Sequence, residues 1–390
     1  MEIQNATLSS LTVDGRGSYG IGASAVERSE NLYTYLRITD IRDDGTLNMA
    51  DLKSVDDEKA SQYLMKPNDI VFARTGASTG RSYFYDGADG EFVYAGFLIK
   101  FSIDPNKVNP KYVKYFCMSD TYKGWIHSFN TGSTRGNINA QTLGRMPVPI
   151  PPRPQQDGIV DILSSFDEKI KKNTEINENL LQQLHLIYLQ ILGFSDKEIV
   201  LGNVVNTTSG GTPSRKHDEY YSDGSICWVK SKELLSGYIH DTEEHINELA
   251  VQKSSAKVLP AHSVLIAMYG ATVGAYGIIS RPMTCNQAVC ALLSNENYPY
   301  TYLYQLACES QQSLINLAVG SAQQNISQVL IKQLPIHNDY EAIQKFHSIA
   351  LPIHEKIESL QAENANLSAI RDSLLPRLMS GELDVSELNL

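Results

Sequence analysis

The chain has 390 residues, 42% of them apolar and 20% charged, with a formal net charge of −11. That length holds two or three domains of ordinary size, and that balance belongs to a globular protein, which excludes wholesale disorder. No apolar run approaches the roughly 18 residues of a membrane-spanning helix, and the opening MEIQNATLSS lacks a basic region followed by an apolar core.

The five cysteines (117, 227, 285, 290 and 308) are scattered and form no C-x-x-C, which argues against a disulfide framework or a cysteine zinc site. A reducing cytoplasm fits that usage. The acidic excess is concentrated in residues 155–192 and 336–390, while 1–154 is balanced. Net charge is therefore a weak guide, and a local basic face can still meet phosphates.

Taken in chain order, residues 1–154 are rich in Gly, Tyr, Thr and short apolar runs, the pattern of strands and turns with a few helices. Ile70–Gly80 (IVFARTGASTG) reads as a buried strand and a turn whose glycines are four apart. Pro147–Pro154 (PVPIPPRP) is excluded from helix and from a central strand, so it reads as an extended strap closing this part. From Ile159 a heptad seam follows: Ile159, Leu163, Phe166, Ile170, Asn173, Asn177, Leu180, Leu184, Ile187 and Ile191, with Gly193 as the C-terminal cap.

The order then repeats at an offset of roughly 190 residues. Val264–Gly274 (VLIAMYGATVG) matches Ile70–Gly80, and Trp228-Val229-Lys230 matches Tyr35-Leu36-Arg37. Gly320–Ile326 matches Gly132–Ile138, Leu334-Pro335-Ile336 matches Met146-Pro147-Val148, and Glu355-Lys356-Ile357 matches Glu168-Lys169-Ile170. The second seam runs Ile353, Ile357, Leu360, Asn364, Leu367, then Ile370 or Arg371, and Leu374. Pro352 marks a kink or a fresh start after a short helix, and Pro376 the end.

The sequence thus predicts an α+β fold. It has two mixed α/β recognition domains separated by two long antiparallel coiled-coil helices, arranged as a pseudo-twofold repeat. The expected boundaries are 1–154, 155–193, 194–337 and 338–390. Helix pairing is assigned to Ile170, Asn177, Leu180, Ile357, Asn364 and Leu367, the asparagines fixing register at a cost in stability. Two similar units on a stiff spacer form a ruler, and duplex DNA, with half-sites about 34 Å apart per helical turn, is a ligand it suits.

Several strings mimic enzyme motifs without their context. Gly15–Gly20 (GRGSYG) spells G-x-G-x-x-G, but nothing strongly helical follows it. Gly76–Ser82 (GASTGRS) is one residue short of a phosphate-binding loop, and Asn297–Tyr300 (NYPY) has no glycine-rich methyl-donor site beside it. His240 and His245 (HDTEEH) lack metalloprotease spacing and read as surface structure. No catalytic residue, metal site or cofactor is assigned, which favours a binding protein.

Base edges are read by Arg, Lys, Asn and Gln, and phosphates are held by Arg, Lys, Ser and Thr on exposed loops. In the first half the candidates are Arg16, Arg37, Arg74 and Arg81 with Ser133, Thr134, Arg135 and Asn137 of the GSTRGN loop. In the second they are Thr212, Ser214, Arg215 and Lys216 of GGTPSRK, then Lys230, Tyr269, Gln323, Gln324 and Asn325. Trp228 reads as core.

The domain–helix–domain–helix order, the straps MPVPIPP (146–152) and LPIH (334–337), and the ending LLPRLMSGELDV (374–385) resemble the specificity subunit of type I restriction–modification systems across essentially the whole chain. The resemblance implies a non-catalytic subunit whose domains each read half of a bipartite site in double-stranded DNA. Its helices would set the spacer and dock two methyltransferase subunits, and restriction subunits (an ATP-dependent translocase and nuclease) would join them. S-adenosylmethionine would sit on the partner, with no membrane involved. The rival readings are a single-chain DNA methyltransferase or nuclease, and a coiled-coil adaptor without a nucleic-acid role.

Overall fold

Runs of consecutive buried apolar residues make the central strands, and short polar side chains start the helices. The structure is a computed structural model that describes residues 4–129, 137–193, 196, 199–319 and 325–385. The chain divides into two compact units, one formed by 1–169 with 367–390, the other by 170–366.

In the first unit, β1 (Gln4–Thr7), β2 (Ser18–Tyr19), β3 (Ala25–Val26), β4 (Tyr33–Leu36), β5 (Lys53–Val55), β6 (Asp69–Ala73), β7 (Ser82–Tyr85), β8 (Phe92–Tyr94) and β9 (Leu98–Ser102) precede α1 (Pro110–Phe116), α2 (Asp120–His127) and α3 (Ala140–Gly144). One sheet is ordered β2-β9-β6-β7 and another β3-β5-β4-β8. All of β6 (DIVFA) is buried, as its unbroken apolar run requires of a central strand. The side chains of Asn109, Ser119 and Asn139 cap the three helices, satisfying N–H groups that a helix start leaves orphaned.

The proline strap is an edge strand, β10 (Pro147–Ile150), paired antiparallel with β1 in a two-stranded sheet. Its last residues depart from the expected extended path: Arg153 and Pro154 open helix α4 (Arg153–Leu192). A proline in the first turn sacrifices no helical hydrogen bond.

The second unit repeats the plan. Its strands are β11 (Ile199–Val200), β12 (Asn206–Ser209), β13 (Ile226–Val229), β14 (Tyr238–Ile239), β15 (His245–Ile246), β16 (Val264–Ala267), β17 (Tyr276–Ile279), β18 (Thr284–Cys285), β19 (Val289–Leu293) and β20 (Pro335–Ile336). Its helices are α5 (Glu248–Lys253), α6 (Tyr300–Val319), α7 (Gln328–Lys332) and the part of α8 (Tyr340–Ser380) before residue 367, the remainder belonging to the first unit. The sheets are ordered β12-β19-β16-β17-β14 and β15-β13-β18. β20 pairs antiparallel with β11, so the second strap pairs as the first does with Pro335 in place of a proline-rich run. The core gathers Leu303, Leu306 and Leu314 of α6 against Val264, Ile266 and Leu292 of the sheet, each fully buried aliphatic side chain being worth about 1.5–3 kcal/mol.

The long helices pair antiparallel. Within the first unit, Arg371 Nη1 donates to Asp167 Oδ1 at 2.8 Å and Gln155 Nε2 to Asp384 Oδ1 at 3.3 Å. Lys114 Nζ and the Tyr115 hydroxyl both reach Asp167 Oδ2 as well. Burial opposes the charge on Asp167, but Lys114 and the other donors outweigh it and hold its carboxyl below the usual range. Within the second unit, Asn173 Nδ2 donates to Asn364 Oδ1 at 2.9 Å and to Glu363 Oε2 at 2.9 Å. Asn364 Nδ2 approaches Thr174 Oγ1 at 3.3 Å and Ile170 O at 3.4 Å.

Of the residues assigned to pairing, Ile357 and Asn177 are buried and Ile170, Leu180, Asn364 and Leu367 half-buried. Asn177 Oδ1 is enclosed without a hydrogen bond, and Asn173 is the residue that meets Asn364. The seam also drifts. Tyr188 and Leu192 are buried where Ile187 and Ile191 were expected, and His354 is buried beside a half-buried Ile353. A straight α-helix turns 3.6 residues per turn against a seam of 3.5, so a heptad pattern rotates off the contact. α8 is continuous through Pro352 and ends at Ser380, four residues past Pro376, because each proline costs one backbone donor that a long packed helix tolerates.

Candidate nucleic-acid interface

The glycine turns and the loops matched between halves converge on one backbone cradle in each unit. In the first, Arg74 follows β6; its N–H donates to Phe97 O at 3.1 Å and its carbonyl accepts from Ile138 N at 2.9 Å. In the second, Met268 follows β16; its N–H donates to Ala288 O at 2.8 Å and its carbonyl accepts from Ile326 N at 2.9 Å. Thr75 bridges Asn137, and Tyr269 bridges Asn325. The turns beside them need glycine: φ is +74° at Gly76, +90° at Gly80, +70° at Gly270 and +80° at Gly274.

The preceding loop lies against each cradle in matching fashion. Gly20 sits so close that an added Cβ would lie 2.2 Å from Tyr94 O, and at Gly210 it would lie 2.1 Å from Cys285 O. The Tyr35 hydroxyl lies 2.9 Å from Ile21 O and from Ala23 O. Its counterpart Trp228 is buried and donates Nε1–H to Gly211 O at 3.0 Å. The fold therefore presents the same backbone twice and changes the side chains on it.

Among the assigned residues, the structure brings Arg74 and Asn137 to one edge. The Arg74 guanidinium lies 5.1 Å from the centroid of the Tyr19 ring, and its Nε is enclosed without a hydrogen bond. Arg16 is exposed on the loop before β2. Arg37 is held by Asp40, with Nη2–Oδ1 at 2.6 Å, and by the Asp51 carbonyl at 2.8 Å. Arg81 is clamped on Asp43, with Nε–Oδ1 at 2.7 Å, and on Ile41 O.

In the second unit Lys216 is exposed, Tyr269 is 42% exposed, and Thr212 and Ser214 accept from Gln287 N and Lys216 N. Arg215 stacks over Tyr221 at 4.2 Å and near Trp228 at 5.5 Å. Arg215 and Lys230 meet on opposite oxygens of Glu244, and Lys232 reaches Glu243 at 2.6 Å. Ser133, Thr134, Arg135, Gln323 and Gln324 lie outside the described residues.

Sequence reasoning passed over Tyr19, Phe97 and Gln287, which are exposed on the same cradles. Phe97 is 57% exposed on the turn between β8 and β9. A large aromatic in a turn between two buried runs was the available signal. Asp43 and Glu244, which engage Arg81 and Arg215, lie 38 and 29 residues from them in sequence, beyond any local spacing.

Cys227, Asp241 and His245 bring one sulfur, one oxygen and one nitrogen within 4.8 Å of one another, the donor types a divalent metal takes. The Arg281 guanidinium is drawn to the same atoms, 3.1 Å from Cys227 Sγ and 3.3 Å from Asp241 Oδ1. Burial, then the hydrogen bond to Asp241, pushes the Cys227 thiol up. Among the described residues no helix is long and apolar enough to cross a membrane.

Comparison with known proteins bears on this geometry. The family profile described as type I restriction modification DNA specificity domain matches twice, at residues 24–182 and 196–367. A specificity subunit of the MjaIX type I restriction enzyme from Methanocaldococcus jannaschii is 26% identical over 316 residues, covering 73% of this chain and 72% of its own. That of the HindI enzyme from Haemophilus influenzae is 23% identical over 403 residues, covering 82% and 87%. The crystal structure of a type I restriction–modification S subunit from M. genitalium superposes with a TM-score of 0.58 at 17% identity over 97% of this chain and 96% of its own. That likeness concerns the fold.

Proposed function

This chain belongs to the type I restriction–modification specificity-subunit family, and from that premise we propose that each of its globular domains reads one half of a bipartite sequence in double-stranded DNA. The domains are 1–154 and 194–337. The helical stretches 155–193 and 338–390 set the unspecified spacer and recruit two methyltransferase subunits, and restriction subunits complete the nuclease. This chain catalyses nothing; methyl transfer, with its cofactor, belongs to the partner.

One observation carries the reading: two backbone cradles with the same hydrogen bonds hold different residues at equivalent places, Arg74 and Phe97 in one, Met268 and Ala288 in the other. A shared frame with divergent side chains suits reading two unlike half-sites. Arg74 and Asn137 in the first domain, and Lys216, Tyr269 and Asn325 in the second, are the contacts that the geometry favours. Arg37, Arg81, Arg215 and Lys230 are already engaged by acids, so they reach DNA only by exchanging partners.

The test is domain exchange. Replacing residues 1–154 with the corresponding part of a relative, then mapping methylated sites in host DNA, should change one half of the recognised sequence and leave the other. A change in both halves refutes modular reading. Methyl transfer by this chain alone would favour a single-chain enzyme, and absence of salt-sensitive duplex binding by its complex would favour a coiled-coil adaptor.

A further inference from the structure

The cations at the ends of the central strands β4 and β13 are neutralised in the same way in both units. Arg37 N donates to Asp40 Oδ2 at 2.7 Å, and its counterpart Lys230 donates its N–H to Glu233 Oε2 at 2.7 Å. Each cation then meets an acid just ahead of the strand paired antiparallel with its own. Arg37 Nη2 lies 3.5 Å from Asp51 Oδ2, two residues before β5. Lys230 Nζ contacts Glu244 Oε1 and lies 3.6 Å from Glu243 Oε2, just before β15.

In the second unit the arrangement is denser. Glu244 also takes Arg215, Glu243 takes Lys232 at 2.6 Å, and Glu233 Oε1 accepts Glu243 N at 2.9 Å, fixing the acidic pair in place. Lys230, through its hydrogen bond, does most to lower the Glu244 carboxyl, with Arg215 adding to it.

Stability is a poor reason for the outer pairs. Lys232 and Glu243 are both more than half exposed and Arg215 is 58% exposed, and pairs of that kind contribute about 0–1 kcal/mol, whereas Lys230 and Arg37 are more enclosed. The cost to a polyanion-binding surface is larger, because a cation held by a carboxylate is withdrawn from phosphate. That cost is useful to a protein that must ignore bulk DNA, since phosphate contacts supply nearly all sequence-independent affinity.

Resting on the DNA-reading function above, we infer that Glu243 and Glu244 are specificity-determining residues that suppress sequence-independent binding by occupying Arg215, Lys230 and Lys232. Only a half-site that supplies base contacts repays the exchange of partners.

The experiment measures binding of random-sequence duplex by the full chain in its methyltransferase complex across about 50 to 200 mM salt. Glu243→Gln with Glu244→Gln frees up to three cations. The slope of log affinity against log salt should steepen by about 0.9 per freed cation that reaches a phosphate. Two such contacts make the salt-induced loss at least about tenfold larger than in the wild type.

Glu296→Gln with Asp223→Asn, the same charge change at other exposed positions of this unit, should leave the slope within experimental error. Glu243→Gln alone, at an acid more than half exposed, repeats the test on Lys232 should the double variant misfold. Equal slopes for wild type and the folded acid variants overturn the inference while leaving DNA reading intact. Equal steepening in the control pair overturns it too. Failure of the wild-type complex to bind duplex at low salt removes both readings.

Discussion

Replacing Asn173 with alanine should loosen the helix pair by about 2–4 kcal/mol. Its Nδ2 donates to Asn364 Oδ1 and to Glu363 Oε2, each at 2.9 Å, and Asn173 is 1% exposed. The hydrogen bond to a carboxylate is of the stronger kind, and the truncation leaves the half-buried Asn364 Oδ1 without that donor. For a unit of this size, 2–4 kcal/mol lowers the melting temperature by roughly 5–15 °C.

Asn177 provides the opposite sign. Its Oδ1 is enclosed without a hydrogen bond and its residue is 5% exposed. Asn177→Leu removes that penalty with the same branching and heavy-atom count and should stabilise by about 1–2 kcal/mol. Urea denaturation followed by circular dichroism measures both, and a cycle of Asn173→Ala with Asn364→Ala should give a coupling of about 0.5–3 kcal/mol. A loss for Asn173→Ala no larger than for exposed Asn179→Ala, together with a destabilising Asn177→Leu, would sink the claim that these polar residues set the pairing.

Two further outcomes follow from the structure. His354 is 1% exposed, and burial, followed by the charges of His262 and His347, brings its imidazole down to about 3. The folded state refuses a proton that the unfolded chain accepts near pH 6.5. Stability on this account is full above that pH and falls by about 1.4 kcal/mol per pH unit below it, down to the folded value. His354→Phe should flatten that slope in urea midpoints taken at several pH values, and an unchanged slope assigns the acid sensitivity elsewhere.

Gly20→Ala and Gly210→Ala drive a Cβ into backbone carbonyls at 2.2 and 2.1 Å, at a cost of about 1–3 kcal/mol or more. Each should weaken duplex binding through its own domain. Gly22→Ala, with nothing within 4 Å of the added carbon, should not, and equal affinities for all three variants refute the importance of the loop's close approach.

The internal duplication, the long helices and their asparagine-bearing seam were legible in the sequence because they rest on local periodicity and on self-similarity that survives divergence. The glycine turns were legible too, since a positive φ at Gly76, Gly80, Gly270 and Gly274 leaves few alternatives to glycine. Tertiary structure decided which residues face what. Asn173 meets Asn364 because two straight helices drift off a heptad seam, and Pro352 and Pro376 stay inside α8 because packing outweighs one lost donor each. It also decided that Arg37, Arg81, Arg215 and Lys230 stand against acids. Apart from Arg37–Asp40, three residues apart, these pairs join residues 14 to 38 apart in sequence, so spacing along the chain holds little record of them. Composition could supply the cations of an interface, but only the folded sheets could say which of them remain available to a phosphate.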